Sequence, residues 1–366
     1  MKKILFCDPM SRKNLGVYDK NILENLAGEK YFFASKGFQF DEVYNTNVIY
    51  NYNYYEKRGI LKILSYCISQ VRLVKWVARH KPDILHIQWI RLPVLDIIVI
   101  FFIKFLHENI SIVYTAHNSL PHNVNGKVYI YLYSVLYHLF KGIIVHTSRT
   151  KKELVDLFGI NGDIVMEIPH GIIKYDVNIM AERMYQNKIV FSMTGMMSYY
   201  KGVDILIDAW LSTKVLLDNN NIHLVIAGAG DIPSEKVPEN CNMTIINRML
   251  TDEEYQNIIV NTDVGILPYR KISQSGVLLS LLAEHKPVIV SDCGGLTQPF
   301  AVGEVGWIIT DLSTQSLSEM IINVISDEKK IRRIQNNDTL WGKIDNYYSW
   351  KNIGRMTMDF YTSLVK

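Results

Sequence analysis

Along most of this 366-residue chain, short continuous apolar runs alternate with longer stretches whose apolar positions recur every three or four residues. Runs of the first kind predict buried strands, at 2–7, 82–88, 110–115, 142–146, 164–168, 188–194, 221–227, 243–247, 263–267 and 286–291. Stretches of the second kind predict helices near 57–80, 94–106, 127–140, 149–158, 202–212, 252–260, 276–285 and 315–326. Strands spaced by helices indicate an α/β fold with parallel sheets built from βαβ units. Residues 174–188 are polar and carry no strand signal, which predicts a linker between two domains with a cleft between them.

Polar, glycine-containing clusters follow five of the predicted strands. They are 115–122, 195–202, 228–231, 268–276 and 292–296. Open α/β sheets hold their ligands beyond the carboxyl ends of their strands, so this placement predicts a ligand cleft. The fourth cluster is the most informative. Arg270-Lys271-Ile272-Ser273-Gln274-Ser275-Gly276-Val277 opens a short apolar helix that ends before Pro287 and a β-branched strand. The first amides of a helix have no intrahelical acceptor, and the peptide dipoles add partial positive charge there, so a phosphate is the natural guest.

Composition and charge narrow the function classes. A hydrophobic fraction of 48% with 20% charged residues is globular. Cys7, Cys67, Cys241 and Cys293 are scattered without metal-type spacing and predict free thiols, no zinc site and a reducing compartment. The N-terminal run is too short for a signal peptide, which predicts a cytoplasmic protein. The net charge of +3 conceals an asymmetry. Residues 1–175 hold 22 Lys and Arg against 14 Asp and Glu, whereas 176–366 hold 17 against 22. Within 57–81 lie Lys57, Arg58, Lys62, Arg72, Lys75, Arg79 and Lys81, among apolar residues at 60, 61, 63, 64, 67, 68, 71, 74, 77 and 78. That spacing predicts a helix with the apolar stripe buried and Arg72, Lys75 and Arg79 on the opposite face, set to rest on an anionic membrane surface at its inner, cytoplasmic side. The run 94–106 is too short to span a bilayer and reads as a buried or interfacial helix. No feature points to nucleic acid.

The same clusters carry a family resemblance. Lys201-Gly202-Val203-Asp204-Ile205-Leu206-Ile207-Asp208-Ala209 resembles a helix start of the retaining family-4 type GT-B glycosyltransferases, the group 1 enzymes of bacterial polysaccharide assembly. Lys81-Pro82-Asp83-Ile84-Leu85-His86, Tyr114-Thr115-Ala116-His117-Asn118, Pro169-His170-Gly171 and the stretch from Pro268 to Gly295 resemble further landmarks in the family's order, and 349–361 resembles its closing helix.

The resemblance implies a GT-B fold: an acceptor-binding Rossmann-like domain over 1–175, a nucleotide-sugar-binding one over 176–348, and a helix over 349–366 that crosses back to the first. It implies transfer of a sugar from a nucleotide-sugar donor to a glycan or polyprenyl-diphosphate-linked acceptor, with retention and without metal or other cofactor. Lys201 matches the phosphate-binding lysine, and the start at Ser275, Gly276 and Val277 matches the phosphate cradle. His117 matches the histidine that orients the donor sugar, and His122 is placed toward the acceptor. Gly195, Ser198, Gly228, Gln274 and Ser280 line the implied donor site, and Arg248 and Met249 match the segment that holds the base. The chain departs from the family in two ways. Met196 and Ser198 stand where an arginine is usual, with Arg270 the candidate replacement, and the usual glutamate pair falls on Ile272 or Ser273 and on Ser280 or Leu281. Those losses keep open one alternative, a catalytically silent GT-B subunit that partners an active transferase; a third reading, a GT-B sugar-nucleotide epimerase, requires catalytic acids in the cleft that the sequence does not identify.

Overall fold

The computed structural model describes residues 2–365 except 121–125, 174–182, 184, 213 and 240. The chain forms two compact units, Met1–Gly171 with Tyr348–Lys366, and Ile172–Tyr347. Most of the predicted linker lies outside the described residues.

The first unit is a seven-stranded, all-parallel sheet of β1 (Lys3–Cys7), β2 (Glu29–Ser35), β3 (Thr46–Tyr52), β4 (Ile84–Ile87), β5 (Ser111–Ala116), β6 (Gly142–Val145) and β7 (Val165–Glu167). Its order is β3-β2-β1-β4-β5-β6-β7. The chain first winds outward from β1 through α1 (Asn14–Asn25), then crosses back and continues the other way through α2 (Gly59–His80), α3 (Pro93–Leu106), α4 (Lys127–Leu139) and α5 (Ser148–Phe158). Right-handed crossovers then put these later helices on one face of the sheet. Leu73, Val77, Ile100, Ile103, Leu136 and Leu154 accordingly share one core with Leu85 and Ile112. The opposite face is covered by α1 and by α13 (Trp350–Leu364), whose Ile353, Phe360 and Tyr361 pack with Tyr18, Ile22 and Leu23. Gly171 lies so close to Trp350 that a Cβ there would sit 2.4 Å from its ring.

The second unit is a six-stranded parallel sheet of β8 (Ile189–Thr194), β9 (Ile222–Ala227), β10 (Met243–Ile246), β11 (Val264–Leu267), β12 (Val288–Ser291) and β13 (Gly306–Ile309), in the order β10-β9-β8-β11-β12-β13. Its helices are α6 (Val203–Leu211), α7 (Lys214–Leu217), α8 (Asp252–Asn261), α9 (Gly276–Ala283), α10 (Thr314–Ser326), α11 (Glu328–Gln335) and α12 (Asp338–Tyr347). β8, β9, β11 and β12 are buried along their whole length, which explains their near-continuous apolar sequences. In both sheets the winding reverses beside the first strand, leaving a crevice at the carboxyl ends of β1 and β4 and of β8 and β11.

The structure adds elements that the apolar pattern did not predict. β2 and β3 mix charged and amide residues with aromatics, and β3 is an edge strand with only its last two residues buried. α1, α11 and α12 are polar helices that bury narrow stripes, and β13 is only four residues long.

The largest correction concerns α2. The first part of its apolar stripe is turned outward, with Ile60 71%, Leu61 60% and Ile68 54% exposed, whereas Tyr66, Ser69, Gln70 and Leu73 face the core together with Val77 at the stripe's far end. Hydrogen bonds decide the rotation. Ser69 Oγ donates to Asn51 O at 2.8 Å, Asn51 Nδ2 donates to Ser69 O at 3.0 Å, and Tyr66 OH donates to Asp96 Oδ1 at 2.9 Å. Turning the aliphatic stripe inward would bury it at the cost of these partnered groups, and a buried polar group left unpaired costs about 1–3 kcal/mol. Arg72, Lys75 and Arg79 are exposed as expected, so the basic and apolar surfaces of α2 are adjacent and both face solvent.

Candidate active site

In the second unit the loop after β8 folds back on Gly195, whose φ is 96°. A Cβ at Gly195 would meet Lys201 Nζ at 2.8 Å and the Val277 side chain at 3.2 Å, so the lysine head and the start of α9 flank one point at the carboxyl end of β8. Gly228, with φ 141°, approaches from β9 so closely that a Cβ would lie 2.0 Å from Gly195 O. Gly195 N donates to Ala227 O at 3.0 Å and Met197 N to Ala229 O at 2.8 Å, which zips the two loops together.

Lys201 is only 6% exposed. Its ammonium donates to Thr194 O at 3.3 Å and lies 5.5 Å from the centre of the Tyr269 ring. Burial alone lowers its pKa to about 8. Among the described residues Thr194 Oγ1, also buried, has no hydrogen-bond partner. Ser275 caps α9, its hydroxyl accepting from Leu278 N at 3.2 Å, so the amides of Gly276 and Val277 remain without an intrahelical acceptor. A Cβ at Gly276 would find nothing within 4 Å, which leaves open space beside these amides.

The other sequence-chosen residues divide. Ser198 belongs to the same turn, its carbonyl accepting from Lys201 N at 2.8 Å. Gln274 is half-buried in the loop before Ser275. Ser280 lies one turn along α9, buried, and its hydroxyl donates back to Gly276 O at 3.1 Å. Met249 is 68% exposed after β10. Arg248 and Arg270 are already paired. Arg248 grips Glu254 with both terminal nitrogens, at 2.9 and 2.6 Å, beside the capping box of α8. Arg270 grips Asp204 at 2.8 and 2.6 Å and stacks on Tyr199, its guanidinium carbon 4.1 Å from the ring centre. The carboxylate neutralises the cation that was the candidate replacement for the family's arginine, which leaves Lys201 as the uncompensated one of the three.

In the first unit His117 follows β5, and both of its ring nitrogens are engaged. Nδ1 lies 3.2 Å from His146 Nε2, and Nε2 lies 3.0 Å from Gln88 Oε1. His146 Nδ1 in turn faces Ile168 O at 2.8 Å. Three links need three protons, and two neutral imidazoles supply two. Exchanging the oxygen and nitrogen of the Gln88 amide, which are alike in shape, supplies the third: Gln88 then presents its N–H to His117 and its carbonyl oxygen to His86 Nε2 and the Thr115 hydroxyl, at the 3.1 and 3.2 Å now spanned by its Nε2. His86 Nδ1 then accepts from Tyr361 OH on α13. Burial lowers the pKa of His86 and of His146 to about 3 and that of His117 well below its usual value, so the network is neutral. His117 stacks face to face on Trp89, with 4.6 Å between ring centres, and its Nε2 is an acceptor. His122 lies outside the described residues.

Two groups in this unit were missed by sequence reasoning. Gln88 and His86 are polar residues two apart on an otherwise apolar run, which places them on one face of β4 and was the available signal. Asp8, just after β1, and Asp19 on α1 form a buried carboxyl pair, 1% and 0% exposed. Burial raises Asp8 to about 6, and burial together with the charge of Asp8 raises Asp19 well above the carboxylate range. Nothing in the local sequence marks it. Among the described residues no three His, Cys, Asp or Glu side chains are placed to hold a metal ion.

Comparison with known proteins accords with this geometry. The family described as "Glycosyl transferases group 1" matches residues 188–327, and "Glycosyltransferase Family 4" matches residues 33–173. No curated protein sequence matches the chain. Among solved structures, Anabaena Alr3699/HepE in complex with UDP and glucose is 16% identical, with a TM-score of 0.71 over 99% of this chain and 100% of that one. A glycosyltransferase from Rickettsia africae ESF-5 is 17% identical with a TM-score of 0.73 over 99% and 98%. The lipopolysaccharide outer core galactosyltransferase WaaB, in its apo form, is 15% identical with a TM-score of 0.70 over 99% of each chain. Two parallel Rossmann-like sheets, a family match on each, and these structural neighbours make the chain a member of the group 1 glycosyltransferases of the GT-B fold.

Proposed function

We propose that this protein is a retaining hexosyltransferase of bacterial surface polysaccharide synthesis, moving a sugar from a nucleotide-sugar donor to a glycan or polyprenyl-diphosphate-linked acceptor. The observation that carries the reading is Lys201, a buried ammonium with no carboxylate, beside the open amides of Gly276 and Val277 at the carboxyl end of β8. A diphosphate supplies the charge that this place lacks. As the glycosidic bond breaks, the leaving phosphate oxygen gains charge, and fixed donors aimed at that oxygen lower the barrier without a metal. The departing phosphate accepts the acceptor's proton on the same face, so retention needs no paired carboxylates. The second unit holds the donor in this reading, and the basic first unit holds the acceptor. His117 orients the sugar: a hydroxyl reaching its Nε2 donates to it in place of the Gln88 amide. The basic face of α2 holds the protein peripherally at an anionic membrane surface where a lipid-linked acceptor is presented.

The deciding experiment measures the thermal shift with nucleoside diphosphates and the release of nucleoside diphosphate from nucleotide sugars. Stabilisation by one nucleoside diphosphate, together with its release from the matching sugar donor, supports the reading. A stabilising shift with no turnover in the presence of glycan acceptors would favour the silent subunit. No shift with any nucleotide removes the donor site.

A further inference from the structure

Helices α2, α3 and α4 lie side by side on one face of the first sheet, with α3 in the middle. Their outer surfaces are apolar to a degree unusual for a face exposed to water. Ile60 and Leu64 on α2, Phe101 and Phe105 on α3, and Val128 and Tyr131 on α4 are each 50% or more exposed, with Phe105 at 74%. The exposure follows from the fold, because the inner faces of α2 and α3 are fixed by the Ser69–Asn51 and Tyr66–Asp96 hydrogen bonds, so neither helix can roll its outer residues inward. Monomeric soluble proteins rarely leave so continuous an apolar surface uncovered.

The charges on these helices say what covers it. Lys62, Arg72, Lys75, Arg79, Lys104 and Lys127 are all cationic, and the one carboxylate, Asp96, is buried and held by Tyr66 and by the Arg91 and Leu92 amides at 3.0 Å. A second copy of the chain would bring cations against cations. An anionic bilayer offers hydrocarbon for the apolar residues and phosphates for the cations in one surface. No helix of the described residues is long and apolar enough to cross a membrane, so the contact is monotopic.

We propose that the α2–α3–α4 face inserts its apolar residues into the acyl layer of an anionic bilayer, with its basic residues at the phosphates. The inference rests on the membrane association proposed above and specifies its mode: insertion held by apolar burial, instead of adsorption held by charge. The two modes differ in salt. At about 1 M salt the Debye length falls to about 3 Å, which strips an adsorbed protein and leaves an inserted one.

The test is flotation of the full chain with vesicles of phosphatidylglycerol and phosphatidylcholine, at low and at high salt. Wild type is expected to stay bound at high salt. The double variant Phe101→Ser, Phe105→Ser is expected to lose about tenfold in partition coefficient per ring removed, on the order of 100-fold in all, and to be stripped by salt. These side chains are exposed, so the variant keeps the wild-type melting temperature, which is checked alongside. In acyl-brominated lipid, Phe105→Trp is expected to be quenched more than wild type. If the Phe variant binds as wild type does while Arg72→Glu, Lys75→Glu, Arg79→Glu does not, insertion is overturned and charge-held association stands. If wild type binds no vesicles but forms a dimer that the Phe variant dissolves, both readings fall and the occupant is a second copy.

Discussion

His117 Nδ1 stands 3.2 Å from His146 Nε2, and this one contact fixes the protonation of a chain that runs from α13 to β7. Because His146 Nδ1 faces a carbonyl oxygen, it carries the proton, so His117 must donate from Nδ1 and accept at Nε2. The histidine is thereby a neutral acceptor for a hydroxyl. It is poorly suited to be a general base, since its protonated form has no place in the network.

Gln88 sets this tautomer from the other side. Gln88→Leu leaves His117 Nε2 without its internal partner and also removes a partner of His86 and Thr115. The expected cost is about 1–3 kcal/mol of stability, read as a lower melting temperature. Gln88→Glu offers only acceptors, so it is expected to raise the pKa of His117 and introduce a pH dependence of turnover near neutrality that wild type lacks. A flat pH–rate profile for Gln88→Glu, with wild-type turnover, would remove Gln88 from this role.

Lys201 has its pKa lowered from 10.5 to about 8, and the sign of its pH dependence follows. Between those values the unfolded chain binds more protons than the folded one, so stability of the ligand-free protein rises as pH rises through the window and the penalty is fully present below pH 8. Lys201→Met is therefore expected to stabilise the ligand-free protein at pH 7, by on the order of 1–3 kcal/mol, while abolishing the thermal shift given by nucleoside diphosphate. A bound diphosphate favours the charged ammonium, so affinity is expected to fall above pH 8. Arg270→Ala supplies the contrast: Asp204 already neutralises it, and nucleoside-diphosphate affinity is expected to change less than about tenfold, below the about 1.4 kcal/mol that a tenfold loss represents. Titration calorimetry that ranked Arg270 above Lys201 would invert the assignment.

Asp8 and Asp19 predict an opposite slope. Both pKa values are raised above 3.8, Asp8 to about 6, so the folded state holds more protons from about pH 4 upward and stability falls as pH rises through that window. Asp19→Asn keeps the shape and removes one titrating carboxyl. It is expected to raise the melting temperature at pH 7 and to flatten its pH dependence between about 4 and 6. An unchanged slope in that range would mean that the pair is not the group responsible.

Much of this was legible in the chain. Buried parallel strands must be apolar on both faces, so β8, β9, β11 and β12 announce themselves as continuous runs, and Gly195, Gly228, Gly202 and Gly276 mark the turns that follow them or precede a helix. Ser275 before an apolar helix is a cap that can be read from its type and place. Sequence also placed Lys201, Ser275 and Val277 at strand ends of one sheet, because the order of elements determines which loops share an edge.

What the tertiary structure decided is pairing and rotation. That Arg270 and Arg248 are neutralised by Asp204 and Glu254 depends on contacts 66 and six residues apart, which no local pattern encodes. That the first part of the aliphatic stripe of α2 faces outward depends on Ser69 and Tyr66 finding Asn51 and Asp96 on other elements. An amphipathic pattern tells which residues share a helix face, but the side that meets the core is chosen by where buried polar groups find partners, and that choice exists only once the chain has folded.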